Sequence, residues 1–276
     1  MITNLPGDRG KDFLFRTCPS DDLQGLVAGK MAATKYQTVA IIYVNNSYGQ
    51  GLAESFKNAF EAEGGKVTAM VPSEQQAESY TAELRKALAD NPDVLGAFTY
   101  PESASIYLKE AIEFFDYKSF LFCDGTKSEK IIQAVGAENL EGMLGTAPGS
   151  VGGQSLELFN KAYEAEFGDI PPLPFITNAY DAAAVIGLAA YLTMVQGLEI
   201  TSTNIRNNLR SVASPPGEII RPGEFEKAFK LLDQGKNINY EGAAGAVDFD
   251  ENGDVVTPFE IWKYSGGDIV TVEIVE

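Results

Sequence analysis

The chain alternates between unbroken apolar runs and amphipathic stretches. Val39–Val44 is apolar throughout, the pattern of a strand covered on both faces of a parallel sheet. Asn45–Tyr48 has turn composition. Leu52, Phe56, Ala59, Phe60 and Glu63 then recur at helical spacing, with the charges mostly off that stripe. Gly64-Gly65 supplies a helix stop, and Lys66–Val71 begins another strand. Such a β-α-β unit crosses over right-handed into a parallel sheet. The same rhythm predicts a strand at Phe13–Thr17, a helix from an N-cap at Ser20 to about Lys35, a helix at Tyr80–Ala89 and a strand at Asp93–Tyr100. It continues with a helix at Ser103–Phe115, carrying Ile106, Tyr107, Ala111 and Phe114 on its stripe, a strand at Ser119–Cys123, a helix at Lys127–Val135 and a strand at Glu141–Thr146. Residues 13–147 thus predict an α/β unit, a compact Rossmann-like parallel sheet.

The rhythm then changes. A loop at Pro148–Gly153 leads to helices at Gln154–Phe167, Asn178–Gln196, Ser202–Val212 and Pro222–Leu232, and strands return only at Ala246–Phe249, Phe259–Tyr264 and Ile269–Ile274. Asn178–Gln196 is apolar nearly all round, which predicts burial on every side. Helices of that kind need a sheet to lie on, and the sheet of 13–147 has its own helices. The expectation is a second, incomplete lobe whose sheet is missing from this chain.

With 276 residues, 45% of them hydrophobic, the chain can bury substantial cores. Its net charge of −18, with no basic stripe, argues against nucleic acid and anionic membranes as partners. There is no histidine. That removes the commonest general base and metal ligand, and with them Ser-His-Asp and Cys-His catalysis. Cys18 and Cys123 fit either two half-buried thiols or one disulfide. No apolar run reaches the ~18 residues needed to span a bilayer. Met1-Ile-Thr-Asn-Leu-Pro lacks the basic start and apolar core of a signal peptide, which fits a cytoplasmic protein or a mature or truncated form.

Candidate chemistry is sparse. Asp248–Asp254 has the start of a calcium loop, but its twelfth position, where a bidentate acid is needed, is Phe259. A tight turn with positive φ at Asn252 and Gly253 is the expectation. Gly145–Gly153 lacks the spacing of a phosphate loop and reads as a hinge. No cofactor or metal is expected. Tyr48, Thr99, Tyr100 and Asp124 each follow a predicted strand, and the carboxyl ends of parallel strands share the rim where ligands sit. A carboxylate beside aromatic hydroxyls suits an ammonium group, and no nucleophile or base stands with it.

Phe13–Asp21, Tyr43–Gly51, Phe122–Gly125, Ala179–Ala182 and Asn239–Asp250 together resemble the branched-chain amino-acid type of ABC-transporter substrate-binding protein, which has the class I periplasmic binding fold. That resemblance implies two Rossmann-like lobes joined by three crossovers. Residues 1–16 would end the amino-terminal lobe, 17–147 form the carboxyl-terminal lobe, 148–243 the helical remainder of the first, and 244–276 the strands that complete the second. The first third of a family member, including the loop that binds the ligand carboxylate, has no counterpart. By position, Tyr48 matches an aromatic of the second lobe, Thr99 or Tyr100 the next loop, Asp124 the acid that takes the ligand ammonium, and Phe175 an aromatic facing the ligand from the first lobe. The implied function is the extracytoplasmic, non-enzymatic solute-binding component of an importer, which passes a small amino acid or amide to a membrane permease. A ligand-sensing domain of a receptor or regulator is the alternative. With one wall of the clamp, the chain is expected to bind weakly and to self-associate through the helix at 178–196.

Overall fold

The computed structural model describes residues 12–275. The expectation for residues 1–11, as the end of a lobe, lies outside the described residues. Helix α1 (Asp21–Ala33) precedes strand β1 (Thr38–Val44), helix α2 (Ser47–Ala62) and strand β2 (Lys66–Ser73). Then come α3 (Thr81–Ala87), β3 (Val94–Phe98), α4 (Pro101–Phe115), β4 (Phe120–Phe122), α5 (Glu129–Val135) and β5 (Leu144–Pro148). The chain leaves this unit through α6 (Gly153–Phe167), α7 (Ile176–Val195), α8 (Ser202–Ala213), β6 (Glu218–Ile220), α9 (Phe225–Asp233) and β7 (Ile238–Tyr240). It returns as β8 (Phe259–Ser265) and β9 (Asp268–Val275).

The central sheet runs β2-β1-β3-β4-β5-β8-β9. Its first five strands are parallel; β8 joins β5 antiparallel and β9 follows antiparallel. The unbroken apolar run of β1 follows from burial on both faces. Ala40 and Ile42 enter the core beneath α3 and α4, and Val39 and Ile41 enter the core beneath α1 and α2. The helix signals act locally as expected. The Ser20 hydroxyl caps α1 by accepting from the Asp22 amide, Asn46 caps α2 by accepting from the Gly49 amide, and Gly64 at φ +92° ends α2. Trp262 of β8 is fully buried. It stacks on Phe122 at 5.9 Å and covers Gly145, where any Cβ would overlap the edge of the indole.

A second core gathers α7, α8, α9, β6 and β7, with Phe15 set edge-to-face on Phe249. The span 148–243, expected to be helical, contains the parallel pair β6–β7. Three chain passages link the two cores. The first is pinned by Thr17, whose hydroxyl donates to the Asn178 carbonyl at 2.8 Å while the Asn178 amide donates to the Thr17 carbonyl at 2.8 Å. The second passes Val151, bonded to the Ala244 carbonyl, and the third precedes β8.

Several expectations change. Phe13–Thr17 is not a strand; its polar backbone is used instead by a bond from the Arg16 amide to the Gly253 carbonyl. Ala246–Phe249 is not a strand either. Ala246 makes an isolated bridge with Glu241, and Val247, Phe249 and Val255 pack in the second core. Phe114 faces solvent, 65% exposed. Helix α7 buries one face, through Val185, Leu188 and Ala189, and exposes Ile186 and Met194 on the other, with Val195 exposed at its carboxyl end. Both cysteines are free thiols.

Candidate ligand-binding site

Three strand ends bring Tyr48, Tyr100 and Asp124 together. Tyr48 stands on the first turn of α2 and is half-buried. That turn is pressed onto the end of β1, since Gly49 lies so close to the Val44 carbonyl that a Cβ would overlap it. After β3 the alternation of side chains separates two neighbours. Thr99 turns inward, its hydroxyl 2.8 Å from the Tyr107 hydroxyl, and is fully buried. Tyr100 turns outward and stacks on Tyr48, with ring centroids 5.6 Å apart and planes at 14°. Of the pair left open by the sequence, Tyr100 is therefore the one at the rim.

Asp124 opens a short 3-10 turn after β4 and is 6% exposed. Its Oδ1 accepts from the Tyr48 hydroxyl at 2.8 Å and from Gln24 Nε2 at 2.7 Å. The Tyr48 oxygen in turn accepts from the Gly125 amide at 3.3 Å. A Cβ at Gly125 would overlap the Thr99 carbonyl and lie 2.9 Å from that oxygen, so only glycine lets the turn approach. Burial pushes the Asp124 carboxyl up, opposed by the bonds from Tyr48 and Gln24. Burial, then the charges of Cys123 and Asp124, holds the Tyr48 phenol well above its ordinary value, so it remains a donor.

A cleft of about 50 Å³ opens beside Tyr48 and is walled by Arg16, Asp21 and Asp22 among others. Its size suits an ammonium-sized group rather than a whole amino acid. Arg16 is held by Asp254 at 2.7 Å. Burial, then the charge of Asp124, lifts the Asp21 carboxyl to about 6. The acids facing the cleft are thus Asp21 and Asp22, with Asp124 behind the Tyr48 hydroxyl. Phe175 stands apart. It adopts a left-handed conformation (φ 70°) before α7 and lines a separate cavity of about 410 Å³ between the end of β5, α6 and β8–β9. That cavity contains Glu260, which is paired with Lys127 and accepts from the Thr271 hydroxyl at 2.8 Å.

Sequence reasoning passed over Gln24 and Asp21. The pair Gly25 and Gly29 on α1 was the available signal. Two glycines one helical turn apart mark a close helix contact, which buries a polar neighbour. The acidic run at 248–254 is a turn: Asp250 Oδ1 accepts from the amides of Asn252 at 2.7 Å and Asp254 at 2.9 Å. Only Gly253 there has positive φ; Asn252 does not. Among the described residues no group of three or more His, Cys, Asp or Glu could hold a metal.

Residues 3–267 match the family described as the receptor family ligand binding region. The chain is 28% identical over 272 residues to the chemotactic signal transduction system substrate-binding protein BasB of Halobacterium salinarum, covering 97% of this chain and 62% of that protein. It is 28% identical over 184 residues to the leucine-, isoleucine-, valine-, threonine- and alanine-binding protein of Pseudomonas aeruginosa, covering 64% of this chain and 48% of the relative. The chain thus spans about half to two thirds of these relatives. Among solved structures, a leucine-binding protein from Thermotoga maritima superposes with a TM-score of 0.75 at 21% identity, over 95% of this chain and 67% of that one. A branched-chain amino-acid transporter substrate-binding protein from Streptococcus pneumoniae, solved with isoleucine, gives 0.74 at 20% identity, over 99% and 70%.

Proposed function

The chain belongs to the receptor ligand-binding-region family, and we propose that it serves as the extracytoplasmic solute-binding component of an ABC importer, taking a small amino acid of the branched-chain type, or an amide. The observation that carries this reading is the buried Asp124 carboxylate at the strand rim, bonded to Tyr48 and flanked by the stacked Tyr48–Tyr100 rings. A zwitterion's ammonium exchanges water for charge-assisted hydrogen bonds, which are roughly twice as strong as neutral ones. The ring faces add attraction for a cation. Asp21 supplies a second negative charge at the cleft. In this reading Phe175 meets the ligand only when the two cores swing about their three passages, closure being stabilised by contacts from both sides. The partner that receives the solute is a membrane permease. The relatives named above are binding proteins, which supports a binding rather than a catalytic role.

A second reading is a ligand sensor. The name of the Halobacterium relative, a substrate-binding protein of a chemotactic signalling system, favours it. Both readings share the same binding chemistry. Calorimetry on the whole gene product, with leucine, isoleucine, valine, alanine, acetamide and urea, tests it. Heat from at least one amino acid is expected. Asp124→Asn, which keeps shape and loses charge, should weaken amino-acid binding by about 100-fold, as expected on losing a buried charge-assisted contact. Silence across the panel, or an unchanged affinity in the variant, sinks the ammonium role.

A further inference from the structure

We propose that Gln24 is a positioning residue for the Asp124 carboxylate: it holds Oδ1 from α1, so that Oδ2 is the oxygen presented to a ligand's amino group. Gln24 is 2% exposed, while its helical neighbours Leu23 and Leu26 are 36% and 38% exposed. A polar side chain is turned in and two apolar ones are turned out. The cause is the contact between α1 and α2, where a Cβ at Gly25 would lie 2.5 Å from Ser55 Cβ and one at Gly29 would lie 2.7 Å from Ala59 Cβ. With the two helices this close, Gln24 is rotated onto the ends of β4 and β5.

Its amide nitrogen has two hydrogens, and both are used. One reaches Asp124 Oδ1 at 2.7 Å and the other the Thr146 carbonyl at 3.1 Å, with Thr146 Oγ1 at 3.4 Å. The Tyr48 hydroxyl ends on the same Oδ1. That fills both lone pairs of one carboxylate oxygen, and Oδ2 is the oxygen to which neither of these side chains donates. The residue type matters. A lysine here would bond Asp124 as well, but it would neutralise the charge that an incoming ammonium needs. An amide orients the carboxylate and leaves its charge intact. The charged or titratable groups near Asp124 are Asp21 on α1, Cys18 in the first passage, Tyr48 on α2 and Cys123 beside it in sequence, with Arg16 acting on Asp21 and Cys18.

The proposal rests on the amino-group reading only for its ligand; the Gln24–Asp124 coupling can be tested without one. The carboxyl carbon of Asp124 is followed by NMR against pH in the 276-residue chain and assigned by its loss in Asp124→Asn. Gln24→Met keeps the length of the side chain and removes the donor. It should raise the Asp124 midpoint by about one pH unit, the size of one lost charge-assisted hydrogen bond. The low-pH edge of L-leucine binding by the whole gene product should move up by a similar amount. A midpoint that stays put overturns the proposal. So does a midpoint that moves while leucine affinity, measured at a pH above both titration midpoints, stays equal. If the Met variant does not fold, Gln24→Glu carries the test. Its carboxyl must share a proton with Asp124, giving a two-step titration with the upper step above the wild-type midpoint; a single unshifted step overturns the proposal. If the parent protein binds no leucine, the functional reading loses support, while the titration still decides the coupling.

Discussion

The contact between α1 and α2 can be tested with one substitution made at two places. Gly25→Ala puts a Cβ 2.5 Å from Ser55 Cβ and 2.7 Å from the Phe56 amide nitrogen. Carbon atoms in ordinary contact stand about 3.5–4.0 Å apart, and the Phe56 nitrogen is helix backbone that no rotamer change can move. The helices must therefore separate by about 1 Å at this point. Overpacking of this kind costs about 1–3 kcal/mol. Replacing glycine by alanine in a helix returns about 1 kcal/mol. Because one obstacle is main chain, the cost sits in the upper part of its range, and the net expectation is a loss of about 1–2 kcal/mol. The same shift stretches the 2.7 Å bond from Gln24 to Asp124 and the 2.7 Å bond from the Ser55 hydroxyl to the Asp22 carbonyl. Gly187→Ala is the control. Gly187 is an exposed interior position of α7, and a Cβ there meets nothing within 4 Å. It should stabilise by about 0.5–1 kcal/mol. Urea unfolding, followed by circular dichroism and by the fluorescence of Trp262, reads both. A Gly25→Ala midpoint at or above wild type, or both variants moving in one direction, refutes the packing argument.

Two further outcomes are expected. Asp181 is fully buried, and its carboxylate accepts from the Tyr240 hydroxyl and the Ala243 and Ala244 amides, yet burial outweighs these bonds and lifts it to about 6 from 3.8. A carboxyl raised on folding binds its proton more tightly in the native state, so its contribution favours folding below pH 4 and is lost as pH rises through 6. The difference is about 2–3 kcal/mol. Stability measured at pH 5 and pH 7.5 should therefore diverge more in wild type than in Asp181→Asn, and equal slopes would exclude the effect. The exposed face of α7, with Ile186 and Met194, should drive concentration-dependent self-association of the chain. Light scattering should detect this, and Ile186→Lys with Met194→Lys should reduce it; a wild-type chain that scatters as a monomer at all concentrations contradicts it.

What could be read in the sequence was what is decided locally. The β1 run, the Asn46 cap and the Gly64 stop each act within a few residues, and the rim placement of Tyr48 and Asp124 followed from where those elements end. Thr99 and Tyr100 could not be separated, because one residue of register decides which side chain turns inward. Gln24 was hidden because its partner lies 100 residues away in sequence. An amphipathic pattern assigns glutamine to the surface unless the glycines beside it are weighed. Helix α7 misled for a related reason: a uniformly apolar helix says that it should be covered, not by what. At Ala246–Phe249 the apolar pattern was right about burial and wrong about pairing, since Val247 and Phe249 enter the second core without joining a sheet.

The place of β8 has a consequence for how the protein is made. Strand β5, paired with β4 on one side, gains its other neighbour only when Phe259–Ser265 arrives, after α6 through α9 have been synthesised. On the ribosome, β5 therefore waits as an open strand edge, a site for wrong partners during slow folding. The single tryptophan of the chain sits on the strand that closes this edge. Its emission would mark the moment in biosynthesis when the nascent sheet is sealed.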